Sequence, residues 1–398
     1  MFIGESLSNL RIFYGYSRKQ LSEMIGVSEQ AVWQYENGFS SPKYEVIQSL
    51  TEIFGVKSKY FYKNDSLYGK PRVVNANHIA YRSTERGSTL KAQSHAQHVE
   101  FLDKLINLVG SYVILPPTKL KGLRDYSIKM LSNDSDQPRL VAIKKIAEYA
   151  RSHLNLPQDS NEGLLMAIEK AGVFVFEKSI EQHTDAYSLW TDNDVPYIIL
   201  GNMKKSAARR NFDLAHELGH LLLHYKVDFM EHDASSHEVC EREANIFAGN
   251  FLLPEREFAN DFNFISRKSN PDSLINLKKK WHVSIQAIAM RAKELSLITP
   301  EQSSYFWRVM SQKKYRQVEP LDDIIPIATP VKFKSILQVL DRNSLLTIED
   351  LLSNFYASDS KFLHALTGIE SEFFKVNLQS KTTAAVSDIQ SLRKIKTM

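Results

Sequence analysis

Residues 212–225, FDLAHELGHLLLHY, constrain the fold more than any other segment of the 398-residue chain. The segment has apolar residues all around a helix, and they flank a short polar motif: Phe212, Leu214, Ala215, Leu218, Leu221, Leu222 and Leu223. A helix with one face in solvent keeps a polar stripe on that face. The segment therefore predicts a helix that is buried by other elements of the protein.

The regions around this helix predict further helices and one small sheet. LVAIKKIAEYARSHLNL and NEGLLMAIEKAG have helical patterns, and GVFVFEK and VPYIILGN are short β-rich runs. AYSLWTDND, between these two runs, ends in polar residues that are typical of a hairpin turn. We expect VPYIILGN to be an edge strand that could bind an extended peptide. After the buried helix, VCEREANIFAGNFLLP predicts a helix that Pro254 ends, and WHVSIQAIAMRAKELSLI closes the unit.

These patterns divide the chain into four regions and predict a mainly α fold with a small β-sheet. Residues 1–65 carry short amphipathic helices with glycine turns, and residues 66–135 predict a helical connector. Residues 136–300 form the mixed unit, and residues 301–398 form a mostly helical C-terminal region.

The composition excludes several classes of protein. A hydrophobic content of 43% and a charged content of 24% are those of an ordinary globular protein. No apolar run reaches the roughly 18 residues that a membrane span needs. The chain has a single cysteine, Cys240, so no intrachain disulfide can form, and we expect a reducing cytoplasm. A net charge of +4 is too small to indicate nucleic-acid binding by itself.

The N-terminal region predicts two short helices joined by a glycine turn. SRKQLSEMI begins with Ser17 as a cap, Gly26 allows the turn, and EQAVWQYEN follows the cap Ser28. This arrangement is used to read DNA, with the second helix in the major groove. An alternative is a small helical bundle that makes dimer or protein contacts.

The second helix offers side chains that could contact base edges: Glu29, Gln30, Trp33 and Gln34. Arg18 and Lys43 could bind backbone phosphates. Trp33 is unusual at a position where small polar residues are commoner, so it could instead be a packing residue. A dimer is expected if this region reads a palindromic operator.

The buried helix carries a motif with the spacing of a zinc site. His216 and His220 are four residues apart and share one helix face, so their imidazoles could bind one zinc ion. Glu217 could act as general base on the attacking water. The alternative is a solvated helix that carries two histidines, but the apolar flanks disfavour it because buried imidazoles need partners.

A catalytic zinc site needs a third protein ligand. Glu241 is favoured because Asn245, four residues later on the same helix face, could hydrogen-bond a ligand histidine. A metzincin would have a histidine where this sequence has Lys226. Nearby side chains that could replace Glu241 as the third ligand are His224, His232, His237, Glu238 and Glu243.

Minor signals near these motifs have simpler interpretations. Arg209 and Arg210 are expected in a solvated turn before the motif helix, and His95 and His98 are expected as a surface pair. Cys240 is expected to be a small core residue. An oxyanion donor could come from His224, Tyr225, His232 or His237.

Two family resemblances follow from these motifs. RKQLSEMIGVSEQAVWQYENG with SSPKYEVIQSLTEIFGV resembles the Cro/CI-type (XRE) helix-turn-helix family over residues 5–62. RRNFDLAHELGHLLLH with CEREANIFAGNFLLP resembles the ImmA/IrrE family of zinc metallopeptidases over residues 140–300. The second resemblance implies an α+β zincin-like fold, Zn²⁺ held by His216, His220 and Glu241, and Glu217 as general base.

The two halves together suggest a transcriptional regulator that binds a double-stranded DNA operator and cleaves a partner protein. The resemblance implies a repressor or an antitoxin-like protein as the substrate. Two alternatives stay open: a ligand-sensing transcription factor whose metal domain does not cleave, and an antitoxin-like interaction module. The presence of Glu217 favours hydrolysis, because a purely structural zinc site needs no base there.

Overall fold

The computed structural model describes residues 1–62, 73–75, 89–132, 138–178, 186–201, 206–227, 234–355 and 358–375. The helices, in chain order, are α1 (Gly4–Phe13), α2 (Arg18–Ile25), α3 (Glu29–Glu36), α4 (Tyr44–Phe54), α5 (Thr89–Gly110), α6 (Leu120–Leu131), α7 (Arg139–His153), α8 (Leu164–Lys170), α9 (Ala207–Leu223), α10 (Ala234–Leu252), α11 (Glu255–Asn263), α12 (Ile275–Trp281), α13 (Ile285–Glu294), α14 (Pro300–Gln312), α15 (Lys332–Arg342), α16 (Ile348–Asn354) and α17 (Ser360–Thr367). The strands are β1 (Phe174–Lys178), β2 (Tyr187–Trp190) and β3 (Pro196–Gly201). The predicted mainly α fold with a small sheet is confirmed.

The helix pair α2–α3 has the geometry that its sequence predicts. Ser17 Oγ accepts a hydrogen bond from the Gln20 backbone N–H, and the Gln20 side chain accepts one from the Ser17 N–H. Gly26 ends α2 in the left-handed region with φ +68°, where a side chain would be strained. Ser28 Oγ then caps α3 by accepting from the Ala31 N–H.

The sheet has the order β1-β3-β2, with β1 parallel and β2 antiparallel to β3. The expectation that VPYIILGN forms an edge strand is therefore wrong: it forms β3, the central strand. All six residues of β3 are buried, as expected for a continuous apolar run that is covered on both faces. The edge strand beside the motif helix is β2, whose Ser188 side chain reaches α9.

Alternating residues of the sheet face two separate hydrophobic clusters. Val175 and Ile198 pack into a cluster with α9, α10 and the helices from α11 to α14. Phe176 and Ile199 pack on the opposite face with α5, the N-terminal helices and α15–α17. The first and last parts of the chain thus share one core with the sheet.

Two minor expectations about exposed residues are wrong. His95 and His98 are buried between α5 and the sheet, where the His95 ring stacks on Tyr187 at 4.1 Å between centroids. Arg209 and Arg210 lie in the first turn of α9 and not in a loop before it. Arg210 is buried and pairs with Glu177, whereas Arg209 is exposed as expected. The helix begins at Ala207, earlier than the apolar pattern indicates.

No helix among the described residues is long and apolar enough to cross a membrane.

Candidate metal centre and DNA-reading helix

The motif helix α9 lies between the sheet and α10, and it is buried along nearly its whole length. Ser206 Oγ caps its first turn by accepting from the Arg209 N–H. Gly219, inside the motif, permits the close approach of α10: a Cβ at this position would lie 3.1 Å from Phe247 Cδ1. The sequence thus brings α10 directly against the face that carries the two histidines.

Three side chains from α9 and α10 converge on one point. The Nε2 atoms of His216 and His220 lie 3.1 Å apart. Glu241 Oε1 lies 3.2 Å from His220 Nε2, and Glu241 Oε2 lies 3.5 Å from His216 Nε2. Among the described residues, this is a group whose ligand atoms all lie within 4.8 Å of one another, as a bound metal ion requires.

The donor set fits a zinc ion. Two imidazole nitrogens and one carboxylate are the ligands of a catalytic zinc site with an open position. Glu241 Oε1 is buried, and within the described part of the chain it makes no hydrogen bond, although it lies 3.2 Å from His220 Nε2. A cation between these three groups would satisfy that oxygen.

The surroundings of the three side chains keep the His220 imidazole neutral and the Glu241 carboxylate charged. Burial lowers the pKa of His220 to about 3, so its imidazole retains a lone pair for a metal at neutral pH. Burial acts to raise the pKa of Glu241, but interactions with His216 and His220 outweigh it and hold this pKa far below its usual value. Both protonation states are those of metal ligands.

Glu217 lies on the same helix but is held apart from the cluster. Its Oε2 accepts a hydrogen bond of 2.7 Å from Ser188 Oγ on β2, and the Glu217 side chain is buried. Burial raises the pKa of Glu217 to about 7, against the opposing effects of His216 and Ser188. This carboxylate can therefore exist in either protonation state near neutral pH.

The ligand histidines have partners on their outer nitrogens. His216 Nδ1 lies 3.1 Å from Asn245 Oδ1, which is the contact that the spacing of Glu241 and Asn245 predicts. His220 Nδ1 lies 3.0 Å from His224 Nδ1. His224 therefore faces the side of the ring away from the cluster, and the geometry does not make it a ligand.

The remaining candidates for the third ligand or the oxyanion donor lie outside the cluster. His237 and Glu238 belong to α10 but are not in the group of converging ligand atoms, and Glu243 instead contacts His224. Tyr225 Oη donates to Asp194 at 2.7 Å. His232 falls outside the described residues.

Cys240 precedes the third ligand on α10 and is half-buried. Burial and the nearby carboxylates raise the pKa of its thiol to about 11, with Arg139 opposing. The thiol is therefore protonated at neutral pH and behaves as a small packing residue.

The proposed DNA contacts lie on the surface of the N-terminal helices. Glu29 and Gln30 are exposed at the start of α3, Gln34 is half-buried one turn later, and Lys43 is exposed before α4. Arg18 Nε pairs with Glu36 Oε2 at 2.6 Å, while 41% of the Arg18 side chain stays exposed. This ion pair connects the start of α2 to the end of α3.

Trp33 is neither fully exposed nor part of the core. Its ring is stacked on Phe39 with 5.2 Å between centroids, and the residue is 42% exposed. Phe39 itself is 71% exposed. The two rings form an aromatic surface at the end of α3, so Trp33 packs locally while it remains accessible to a partner.

Two contacts at this site were not predicted from the sequence. Ser188 bonds to Glu217, but a lone serine in a strand carries no spacing signal. His224 contacts Glu243, and here a signal exists, because His224 lies four residues after His220 and therefore on the same face of α9.

Known families match two segments of the chain. Residues 7–61 match the profile of the helix-turn-helix family. Residues 168–293 match a peptidase-family profile described as the IrrE N-terminal-like domain, and this range contains α9 and α10.

Several curated relatives are named as HTH-type transcriptional regulators. One, from Pyrococcus furiosus, is 47% identical over 51 residues, which are 13% of this chain and 16% of that protein. An SPbeta prophage-derived regulator of Bacillus subtilis is 26% identical over 94 residues, covering 22% of this chain and 87% of that protein. One from Rickettsia prowazekii is 30% identical over 77 residues, covering 19% of this chain and 59% of that protein.

Proposed function

Because the chain carries a helix-turn-helix domain and an IrrE N-terminal-like domain with a metallopeptidase-type fold, we propose that it is a transcriptional regulator that hydrolyses a partner protein. The observation that carries this proposal is the convergence of His216, His220 and Glu241 beside a separately held Glu217. A site with only a structural role would not need a fourth buried side chain, a carboxylic acid, at that place.

Each residue of the site has a separate role in the proposed peptide hydrolysis. His216, His220 and Glu241 would hold zinc, which supplies Lewis acidity toward the scissile carbonyl and the attacking water when it is bound. Glu217 takes the proton from the attacking water and passes it to the leaving amine. Ser188 keeps the Glu217 carboxylate in place through its 2.7 Å hydrogen bond.

The strand β2 pairs with β3 on one side within the described sheet, and its Ser188 reaches α9. All four residues of β2 are buried, so this strand presents no accessible edge to which an extended peptide could add. We propose a repressor or antitoxin-like protein as the substrate, bound near the operator by the same polypeptide.

The test compares Glu217→Gln with the unchanged protein in cells. Glutamine keeps the size and hydrogen-bonding capacity of the side chain but removes the base. Zinc content and DNA binding should stay the same, while cleavage of the partner should fall about 100- to 10,000-fold. The partner is identified by proteomics as the protein that disappears on induction only when Glu217 is intact.

Glu238→Gln is the matched control, since Glu238 is an exposed glutamate on α10 outside the converging group. It should behave like the unchanged protein in every measurement. If Glu217→Gln gives a normal regulatory response and stabilises no cellular protein, the peptidase proposal is wrong. That result would favour a metal domain that senses a ligand without cleaving.

A further inference from the structure

A series of hydrogen bonds lies behind the ligand His220. His224 Nδ1 is 3.0 Å from His220 Nδ1, and His224 Nε2 is 3.1 Å from Glu243 Oε2. Arg139, at the start of α7, donates to the same carboxylate, with its Nη2 2.8 Å from Oε2. The two histidines and Glu243 are buried at 4–5% exposure, while the Arg139 side chain is half-exposed. We call His224, Glu243 and Arg139 the relay.

Only one arrangement of protons satisfies these contacts when His224 is neutral. The Glu243 carboxylate, paired with Arg139, accepts hydrogen bonds, so His224 Nε2 must donate. His224 Nδ1 then bears a lone pair and accepts from His220 Nδ1. The Nε2 atom of His220 then carries no proton, and this is the atom that faces His216 and Glu241.

We propose that His224 and Glu243 are positioning residues that hold His220 in its metal-binding tautomer and orientation. This inference deepens the proposed function and rests on the proposed zinc site. A hydrogen bond to the outer nitrogen of a ligand histidine fixes the ring and raises its basicity. Here the partner is a second histidine, and a carboxylate and a guanidinium hold that histidine in turn.

The relay also explains how α10 completes the site. Glu241 supplies the third ligand, Glu243 anchors the relay behind His220, and Asn245 contacts His216 Nδ1. These three residues are spaced two apart on one helix, so one placement of α10 orients both histidines of α9. Arg139 ties this placement to α7, which packs on α10.

The experiment measures the affinity of the full chain for Zn²⁺ by competition with a chromophoric chelator. His224→Leu removes the acceptor and should weaken zinc binding about 10- to 100-fold. His224→Gln retains an acceptor and a donor and should restore most of that affinity. The unfolding of the metal-free proteins in urea is measured in parallel, and a Co²⁺-loaded sample reports the ligand geometry through its visible absorption.

Arg139→Ala provides a variant that spares the core, because Arg139 is half-exposed. Its matched control is Arg209→Ala, which breaks a similarly exposed arginine–carboxylate pair with Asp213 on α9. Arg139→Ala should weaken zinc binding by a few-fold and change the Co²⁺ spectrum, whereas Arg209→Ala should change neither.

Equal zinc affinity in the unchanged protein, His224→Leu and Arg139→Ala would show that the relay does not position His220. The proposed zinc site would be unaffected by that result. Loss of affinity in both His224 variants that parallels their loss of metal-free stability would also overturn the positioning role, since that pattern indicates packing alone. If the unchanged protein binds no Zn²⁺, the proposed function itself fails. Cleavage is not needed for any of these measurements, so a failed peptidase assay is distinguishable from a failed relay.

Discussion

His98 should make the protein lose stability as the pH falls below about 6.5. The imidazole is fully buried between α5, β2 and α17, with Nδ1 2.9 Å from Tyr187 Oη and Nε2 2.8 Å from the Leu366 carbonyl. The carbonyl can only accept, so Nε2 donates and Nδ1 accepts from the tyrosine. A second proton on the ring would remove that acceptor inside the core.

The magnitude follows from the pKa. Burial, assisted by Lys178 and opposed by the bond to Leu366, lowers the pKa of His98 from 6.5 to about 3. The unfolded chain therefore binds a proton at a higher pH than the folded one, so stability is lost as the pH falls from about 6.5 to 3. At 1.36 kcal/mol per unit, the loss from His98 is about 2 kcal/mol at pH 5 and approaches about 5 kcal/mol at pH 3.

The measurement is the free energy of unfolding in urea at pH 7.5 and at pH 5, for the metal-free protein and for His98→Gln. Glutamine also offers one donor and one acceptor but does not titrate. The variant should lose about 2 kcal/mol less than the unchanged protein between these pH values. His153→Gln, at an exposed histidine in the last turn of α7, should leave the pH difference unchanged. An identical pH difference in the unchanged protein and His98→Gln would refute the reasoning.

Three further changes test other parts of the structure. Glu241→Ala should lower the affinity for Zn²⁺ by at least 10-fold in a chelator competition, because it removes one of three ligands; wild-type affinity would rule Glu241 out as a ligand. Gln30→Ala with Gln34→Ala should weaken specific operator binding while zinc content stays the same, since each lost base contact is worth about 1–3 kcal/mol; unchanged binding over several salt concentrations would contradict the reading-helix assignment. Asn161→Ala should lower the free energy of unfolding, measured in urea, by about 2–5 kcal/mol, because buried Asn161 donates to two backbone carbonyls and accepts from Arg151. A loss under about 1 kcal/mol would show that the two carbonyls and Arg151 find other partners.

Local patterns were sufficient to predict the elements that carry the site. The spacing of His216 and His220 places both on one helix face wherever the helix lies, and the pairing of Glu241 with Asn245 follows from the same periodicity. The capped turn around Gly26 is likewise set by neighbouring residues, through hydrogen bonds that span three positions. These features depend only on residues a few positions apart in the chain, so the sequence is enough to predict them.

The expectations that proved wrong all concern burial or neighbours in space. His95 and His98 looked like a surface pair, because their local segment does not reveal that the sheet and α17 cover them. The segment that forms β3 was predicted to be an edge strand, because a run of apolar residues does not indicate which strands pair with it. Both outcomes depend on chain segments that are distant in sequence.

The sequence by itself determined which residues could bind a metal and which helix could read DNA, because helical periodicity fixes these faces locally. Only the tertiary structure decided that Glu241, and not another acidic residue, points at the two histidines, that Ser188 holds Glu217, and that His224 turns away toward Glu243. The physical reason is that each of these contacts joins separate elements, and their geometry is set when α9, α10 and the sheet pack into one core.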